Sequence, residues 1–223
     1  LFAFCAGAFW ASLHLGFWTA TPHLPALALG WPAAILLQGS VFALVWLGLR
    51  RFGRDRRETV GSPRSPSSLW RGPWPLVWGV VALALLNGAT LIVAQHPWVV
   101  TWGYTLWGAK AAAFAGWQPA AGDIWSTGYF RAALAASPLA DSVSIMNIGI
   151  LIGALLAVGL AGNWAPDWRI PPRSLIAALL GGLLLGYGAR IAYGCNIGAF
   201  ISGIASTSLH GWAWIAAAVA GNL

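Results

Sequence analysis

Long uninterrupted apolar stretches alternate along this chain with short polar or proline-bearing breaks. That is the pattern of helices crossing a bilayer, not of amphipathic helices around a soluble core. Residues 1–20 hold Cys5 and His14 as their only ionisable groups, are just long enough to span, and end at Pro22 and Pro25. They lack the basic front region of a signal peptide, so they are read as a helix. Residues 31–49 form a second span between Trp31–Pro32 and the Arg50–Arg51 pair, and residues 75–95 a third, uncharged throughout and closed by His96 and Pro97. Further spans are expected at 139–162, at 174–193 behind Pro171 and Pro172, and at 209–223. The expected fold class is all-α, a polytopic helical membrane protein with short broken or re-entrant helices.

Two regions depart from plain spans. Residues 98–117 are apolar but carry Thr101, Gly103, Tyr104, Thr105 and Lys110, which predicts a re-entrant or pathway-facing helix, with simple spanning as the alternative. Residues 118–137 read as a loop with an interfacial helix around Tyr129–Ala136. In the span that follows, Asp141, Ser144 and Asn147 form a polar stripe at helical spacing. The stripe either faces a pathway or caps the helix and bonds its neighbours. The Gly149–Gly153 step in the same span permits close helix packing.

Composition confirms the class and charge orients it. Of 223 residues 59% are hydrophobic and 8% charged, against about 25% charged in soluble domains. The net charge of +7 is local: Arg50, Arg51, Arg54, Arg56, Arg57, Arg64 and Arg71, seven of the twelve basic residues, fall in one stretch. This marks a cytoplasmic loop, suited to contact with anionic membrane lipids; without an aromatic-rich groove beside the arginines it does not mark nucleic-acid binding. The chain thus divides into two membrane helices at 1–49, a basic cytoplasmic linker at 50–73 and a membrane domain at 74–223. If the weaker basic stretch Arg169–Arg173 is also cytoplasmic, two crossings separate it from the linker and 98–117 must enter and leave on one side. Cys5 and Cys195 are too far apart in sequence for a metal or haem motif and give no disulfide framework, and no cofactor is expected. A first residue other than Met and a stop directly after an apolar run lead to the expectation that the chain is the C-terminal part of a longer protein.

The chemistry concentrates in Gly186–His210, GYGARIAYGCNIGAFISGIASTSLH. Gly194 and Gly198 flank Cys195 and Asn196, and glycine lifts the steric barrier to left-handed backbone, so GCNIG predicts a break in the helix. Cys195 is either a small buried hydrophobe or a thiol facing a pathway. Arg190 is the one Lys, Arg, Asp or Glu between Ser174 and Leu223; it snorkels to an interface, pairs with Asp141, or attracts an anion. Ser202, Ser206, Thr207, Ser208 and His210 cap the last span or supply polar walls. The GYG at 186–188 is not a potassium filter, since Leu184 and Leu185 precede it, and not a dinucleotide fingerprint, since Ile191 replaces the third glycine.

This stretch, together with PWPLVWGVVALALLNGATL, TLWGAK and SVSIMNIGILIGALLA upstream, resembles the YeeE/YedE family of membrane proteins, the sulphur transport domain, over roughly residues 73–223. The resemblance implies an all-helical protein of two similar halves whose short broken helices meet at a narrow passage, where cysteines hand thiosulfate along by hydrogen bonding to sulfur. It implies Cys195 as the passage cysteine and Gly194, Asn196 and Gly198 as its turn; Arg190 as an attractor of the anion and His210 as a polar wall are expected as further passage residues from their own chemistry. The chain departs from the family in having no cysteine in 98–117 and no first-half Gly-Cys motif, Cys5 not standing in such a context. The expected function is a permease of the bacterial inner membrane, not an enzyme, for thiosulfate or a related small sulfur anion. A membrane-bound persulfide carrier served by a soluble sulfurtransferase and a structural subunit without a passage are its rivals.

Overall fold

The computed structural model describes residues 1–14, 30–52, 75–162, 164–166 and 169–222. Its regular elements are helices: α1 (Phe2–Ser12), α2 (Trp31–Phe52), α3 (Leu76–Ala94), α4 (Val100–Phe114), α5 (Gly128–Ala135), α6 (Ser142–Leu160) and α7 (Pro172–Ile191). A π-helical turn (Asn196–Ile201), the single turn α8 (Ser202–Ala205) and α9 (Leu209–Gly221) follow. Helices α2, α3, α6 and α7 are long and apolar enough to cross a membrane, and their Leu, Val and Ile side chains point outward, with Val93 and Leu156 among the well-exposed ones. In water this surface would aggregate; in lipid it is solvated. The protein is an all-α, multi-pass membrane protein. Most of the expected 50–73 linker lies outside the described residues, and so do Asp167 and Leu223.

Two helices are shorter than the apolar runs that contain them. The first ends at Ser12 rather than running to residue 20, followed by a turn at Leu13 and His14, and residues 15–20 lie outside the described residues. Its 11 residues reach only about 17 Å, roughly half of a bilayer's hydrocarbon core. The other, α4, has 15 residues, about 22 Å, and is mostly enclosed by protein instead of facing outward as α3 does. The stretch 98–117 thus holds one short helix packed within the protein.

The core forms around α4. Trp102, Leu106 and Ala109 pack with Trp125 and Val143, and Phe9, Trp117 and Phe130 close the cluster. Trp102 and Trp125 stack at 5.8 Å between ring centroids. Buried polar groups are joined across elements: Trp125 Nε1 donates to Ser12 Oγ at 2.9 Å, Trp107 Nε1 to Ser144 Oγ at 2.9 Å, and Asn147 Nδ2 to the Val100 carbonyl at 2.9 Å. The Asp141 carboxylate accepts from Ser144 N at 2.7 Å and caps α6. The Asp141–Ser144–Asn147 stripe therefore joins α6 to α4 and starts its helix.

Helix α1 lies against α7 at backbone contact. A Cβ at Gly7 would run into the Leu183 carbonyl and one at Gly186 into the Phe4 carbonyl, so side chains at either place would push the helices apart. Gly182 and Gly186 are thus the packing step of the 182–186 spacing. Around Gly149 and Gly153 a Cβ would meet nothing within 4 Å, so that second step packs no helix among the described residues. Helix α2 docks through Gln38, which donates to the Ile204 carbonyl at 2.9 Å, and through Phe42 against Trp212.

Candidate functional site: the helix break around Cys195

Helix α7 stops at Ile191, where the sequence loses its regular apolar filling and gains Gly194, Cys195 and Asn196. Tyr193 takes φ +54° and Gly194 φ +149°, so the chain passes through left-handed backbone for two consecutive residues. Gly194 is required there on two counts. Its φ is one that side chains avoid, and an added Cβ would stand 2.7 Å from Ala199 N and 3.0 Å from the Gly198 carbonyl carbon. Gly198 itself is under no such demand, because a Cβ there would have its nearest neighbours at 3.9 Å. The turn expected from both glycines is made by Gly194.

Beyond the turn the Cys195 carbonyl accepts from Ala199 N at 2.7 Å and from Phe200 N at 3.4 Å, which widens the next turn into a π-helix. Such turns interrupt the regular ladder and are frequent at functional sites. The result is a half-buried, free Cys195 on a backbone held from below by the Gly194 N–H bond to the Ala189 carbonyl at 2.8 Å. Cys195, Gly194, Asn196 and His210 line one cavity of about 800 Å³ between α7, the π turn and α9, with Tyr193 and Trp214 on its walls. His210 is placed by the start of α9, where its N–H donates to Ser208 Oγ at 3.3 Å, and its ring stands edge-on to Tyr193 at 6.1 Å. Ser208 caps α9, so part of the polar run is structural as well as a wall.

Arg190 lies elsewhere. It points from α7 toward α4, where its guanidinium carbon is 5.9 Å from the centroid of the Trp102 ring, and it is absent from the walls of the Cys195 cavity. Its Nε is buried with no hydrogen-bond partner, and no acid pairs with it among the described residues. Asp141 is engaged at the start of α6, so the pairing of Arg190 with Asp141 is not formed. Arg190 Nε, Ser202 Oγ and Thr207 Oγ1, all in the 186–210 stretch, are buried side-chain atoms with no partner, and Trp98 Nε1 is another. A buried polar atom left so costs about 1–3 kcal/mol.

The first helix adds a residue that sequence reasoning set aside. Cys5 is buried on α1, with its carbonyl against Gly108 of α4, and it lines a separate cavity of about 410 Å³ with Phe9, Trp107 and Gly108. The signal for it was the small-residue spacing of Gly7, Ala8 and Ala11, which are buried on the same helix. Lys110 is accounted for by structure: its ammonium donates to the Ala133 carbonyl at 2.8 Å, to the Leu134 carbonyl at 2.7 Å and to the Ala136 carbonyl. It closes the C-terminal end of α5, where free carbonyls and the helix dipole favour a cation.

The chain is similar in sequence to known proteins. The chain is 32% identical over 154 residues, 67% of its length, to the "Probable transporter YedE" of Escherichia coli strain K12, and 31% identical over 154 residues to its Salmonella typhimurium counterpart. It is 36% identical over 83 residues, 37% of its length, to the "Thiosulfate transporter TsuA" of Spirochaeta thermophila. It spans 36% of the length of the two YedE proteins and 25% of TsuA. No solved structure matches it. The family model described as Sulphur transport matches residues 1–223, and the chain belongs to that family.

Proposed function

We propose that this chain carries the substrate passage of a permease of the bacterial inner membrane for a small sulfur-containing anion, thiosulfate being the first candidate. The observation that carries the reading is a free thiol, Cys195, set in a glycine-dependent break of a membrane helix on the wall of a cavity that it shares with Asn196 and His210. A thiol is a weak donor and a soft, polarisable one, suited to the terminal sulfur of thiosulfate but of little use to a strongly hydrated oxyanion. Asn196 and His210 supply harder donors on the same cavity wall. Arg190 acts from the α4 side of the helix as a buried positive charge, which offsets the cost of bringing an anion out of water. The function named for TsuA supports the substrate class.

Arg50 and Arg51 in the last turn of α2 support an orientation with that end in the cytoplasm, facing anionic lipid headgroups. The Arg50 guanidinium lies 4.0 Å over the Trp46 ring, the arrangement of an interfacial anchor. The test is growth of a bacterium that depends on imported thiosulfate, complemented with the full-length protein. Wild type restores growth and Cys195→Ala abolishes it. Equal growth of the two would remove Cys195 from the passage, and failure of wild type would remove thiosulfate as the substrate.

A further inference from the structure

The segment between α4 and α6 carries a pocket of its own. His96 Nε2 stands 3.0 Å from Ser142 Oγ, which brings the end of α3 and the start of α6, two helices of membrane length, to one face of the membrane. The chain leading into Ser142 includes α5, whose last carbonyls are held by the Lys110 ammonium. Phe114, Tyr129 and Leu139 are well exposed along this segment, and large apolar and aromatic side chains so placed at a membrane surface belong against lipid. The segment encloses a pocket of about 540 Å³, with Gln118, Ser126 and Arg131 as its polar wall and Pro119, Trp125 and Leu134 as its apolar one. It shares no residue with the cavity around Cys195.

The pocket holds a positive charge with nothing to balance it. The Arg131 guanidinium makes no hydrogen bond or ion pair with any described residue, and the Gln118 amide is likewise unengaged. Ser126 Oγ donates to the Asp123 carbonyl at 2.6 Å and keeps lone pairs for an incoming donor. Asp123, the acid nearest to Arg131 in sequence, accepts from Ala120 N at 2.9 Å and is absent from the walls. A guanidinium offers a fork of donors that fits a phosphate, and the apolar wall beside it suits the glycerol and first methylenes of a lipid, not a small hydrated ion. A headgroup ending in an ammonium would bring a second positive charge into a pocket without a carboxylate. We propose that this pocket binds the headgroup of an anionic glycerophospholipid such as phosphatidylglycerol, with its phosphate on Arg131 and its free hydroxyls on Gln118 and Ser126. The bound lipid fastens the 115–141 segment to the membrane surface and, through Trp125, supports the stack on Trp102.

The test places the full-length protein in nanodiscs of zwitterionic lipid doped with a phosphatidylglycerol that carries a photoactivatable diazirine on its headgroup. Mass spectrometry of the cross-linked peptides is expected to find residues 118–135 labelled in wild type and labelled about tenfold less in Arg131→Gln, as for loss of one charge-assisted contact. Arg131→Lys, which keeps the charge without the fork, should give an intermediate yield. Labelling around Arg50 and Arg51 should be the same in all three proteins, which shows that the variants are folded. A phosphatidylethanolamine carrying the same diazirine should label 118–135 of wild type several-fold more weakly, a comparison that needs no variant. Equal labelling of wild type and folded Arg131→Gln, or equal labelling by the two lipids, would overturn the assignment. Displacement of the label by soluble glycerol phosphate or thiosulfate would also overturn it, because the pocket would then hold a small anion and not a lipid.

Discussion

Replacing Gly194 by Ala puts the helix break to its most direct test. The residue sits at φ +149°, where a non-glycine side chain costs about 1–3 kcal/mol. The new Cβ would also stand 2.7 Å from Ala199 N and 3.0 Å from the Gly198 carbonyl carbon. Both are backbone atoms of the π turn, which cannot swing away as a flexible side chain can, so relief requires moving the turn at a further cost of about 1–3 kcal/mol. The two terms together put the loss at about 2–6 kcal/mol, a large share of the roughly 5–15 kcal/mol that holds an ordinary domain folded. Unfolding of the full-length protein by titration with a denaturing detergent, followed by tryptophan fluorescence, gives the difference. Gly198→Ala is the matched comparison: four residues away and with 3.9 Å of clearance, it should change stability by no more than about 1 kcal/mol. Equal losses for the two variants would show that the backbone at residue 194 is not held as described.

Two further substitutions test how the site is supported. Gly186→Val should separate α1 from α7, because its side chain would enter the Phe4 carbonyl; the expected loss is about 3 kcal/mol or more, with Cys5 becoming open to maleimide, and an unlabelled, stable variant would contradict the packing. Lys110→Met removes the ammonium that holds the Ala133, Leu134 and Ala136 carbonyls. It should cost about 1.5–3 kcal/mol in the same unfolding assay, and a neutral effect would show that the carbonyls are satisfied by water.

How far the sequence foretold this depended on the kind of residue that carried the information. Runs of Leu, Val and Ile between arginines and prolines located α2, α3, α6 and α7 well, since lipid accepts them only as helices of bilayer length. The same logic misjudged residues 1–20, because Ala, Gly and Phe that pack against another helix look as apolar as those facing lipid. What distinguishes α1 is the approach of Gly7 to the Leu183 carbonyl and of Gly186 to the Phe4 carbonyl, a property of two distant segments. The GCNIG break was readable, as Gly194 shows, since its conformational demand is local. The direction of Arg190 was not: helical phase decides whether it faces Cys195 or Trp102, and that phase is set where α7 docks on α1 and α4. The polar stripe at the start of α6 had two readings in sequence, and the partners that separate them, Trp107 and the Val100 carbonyl, come from α4. Cys5 was set aside for a related reason, as its burial comes from the contact of α1 with Gly108 of α4.

The central claim is that a sulfur anion passes the Cys195 thiol. The measurement that tests it most directly is initial uptake of radiolabelled thiosulfate into proteoliposomes holding the full-length protein, wild type beside Cys195→Ala and Cys195→Ser. The account predicts saturable uptake by wild type, loss of at least about tenfold in Cys195→Ala, and no recovery in Cys195→Ser, whose hydroxyl is a hard donor. Wild-type rates in folded Cys195→Ala would contradict it.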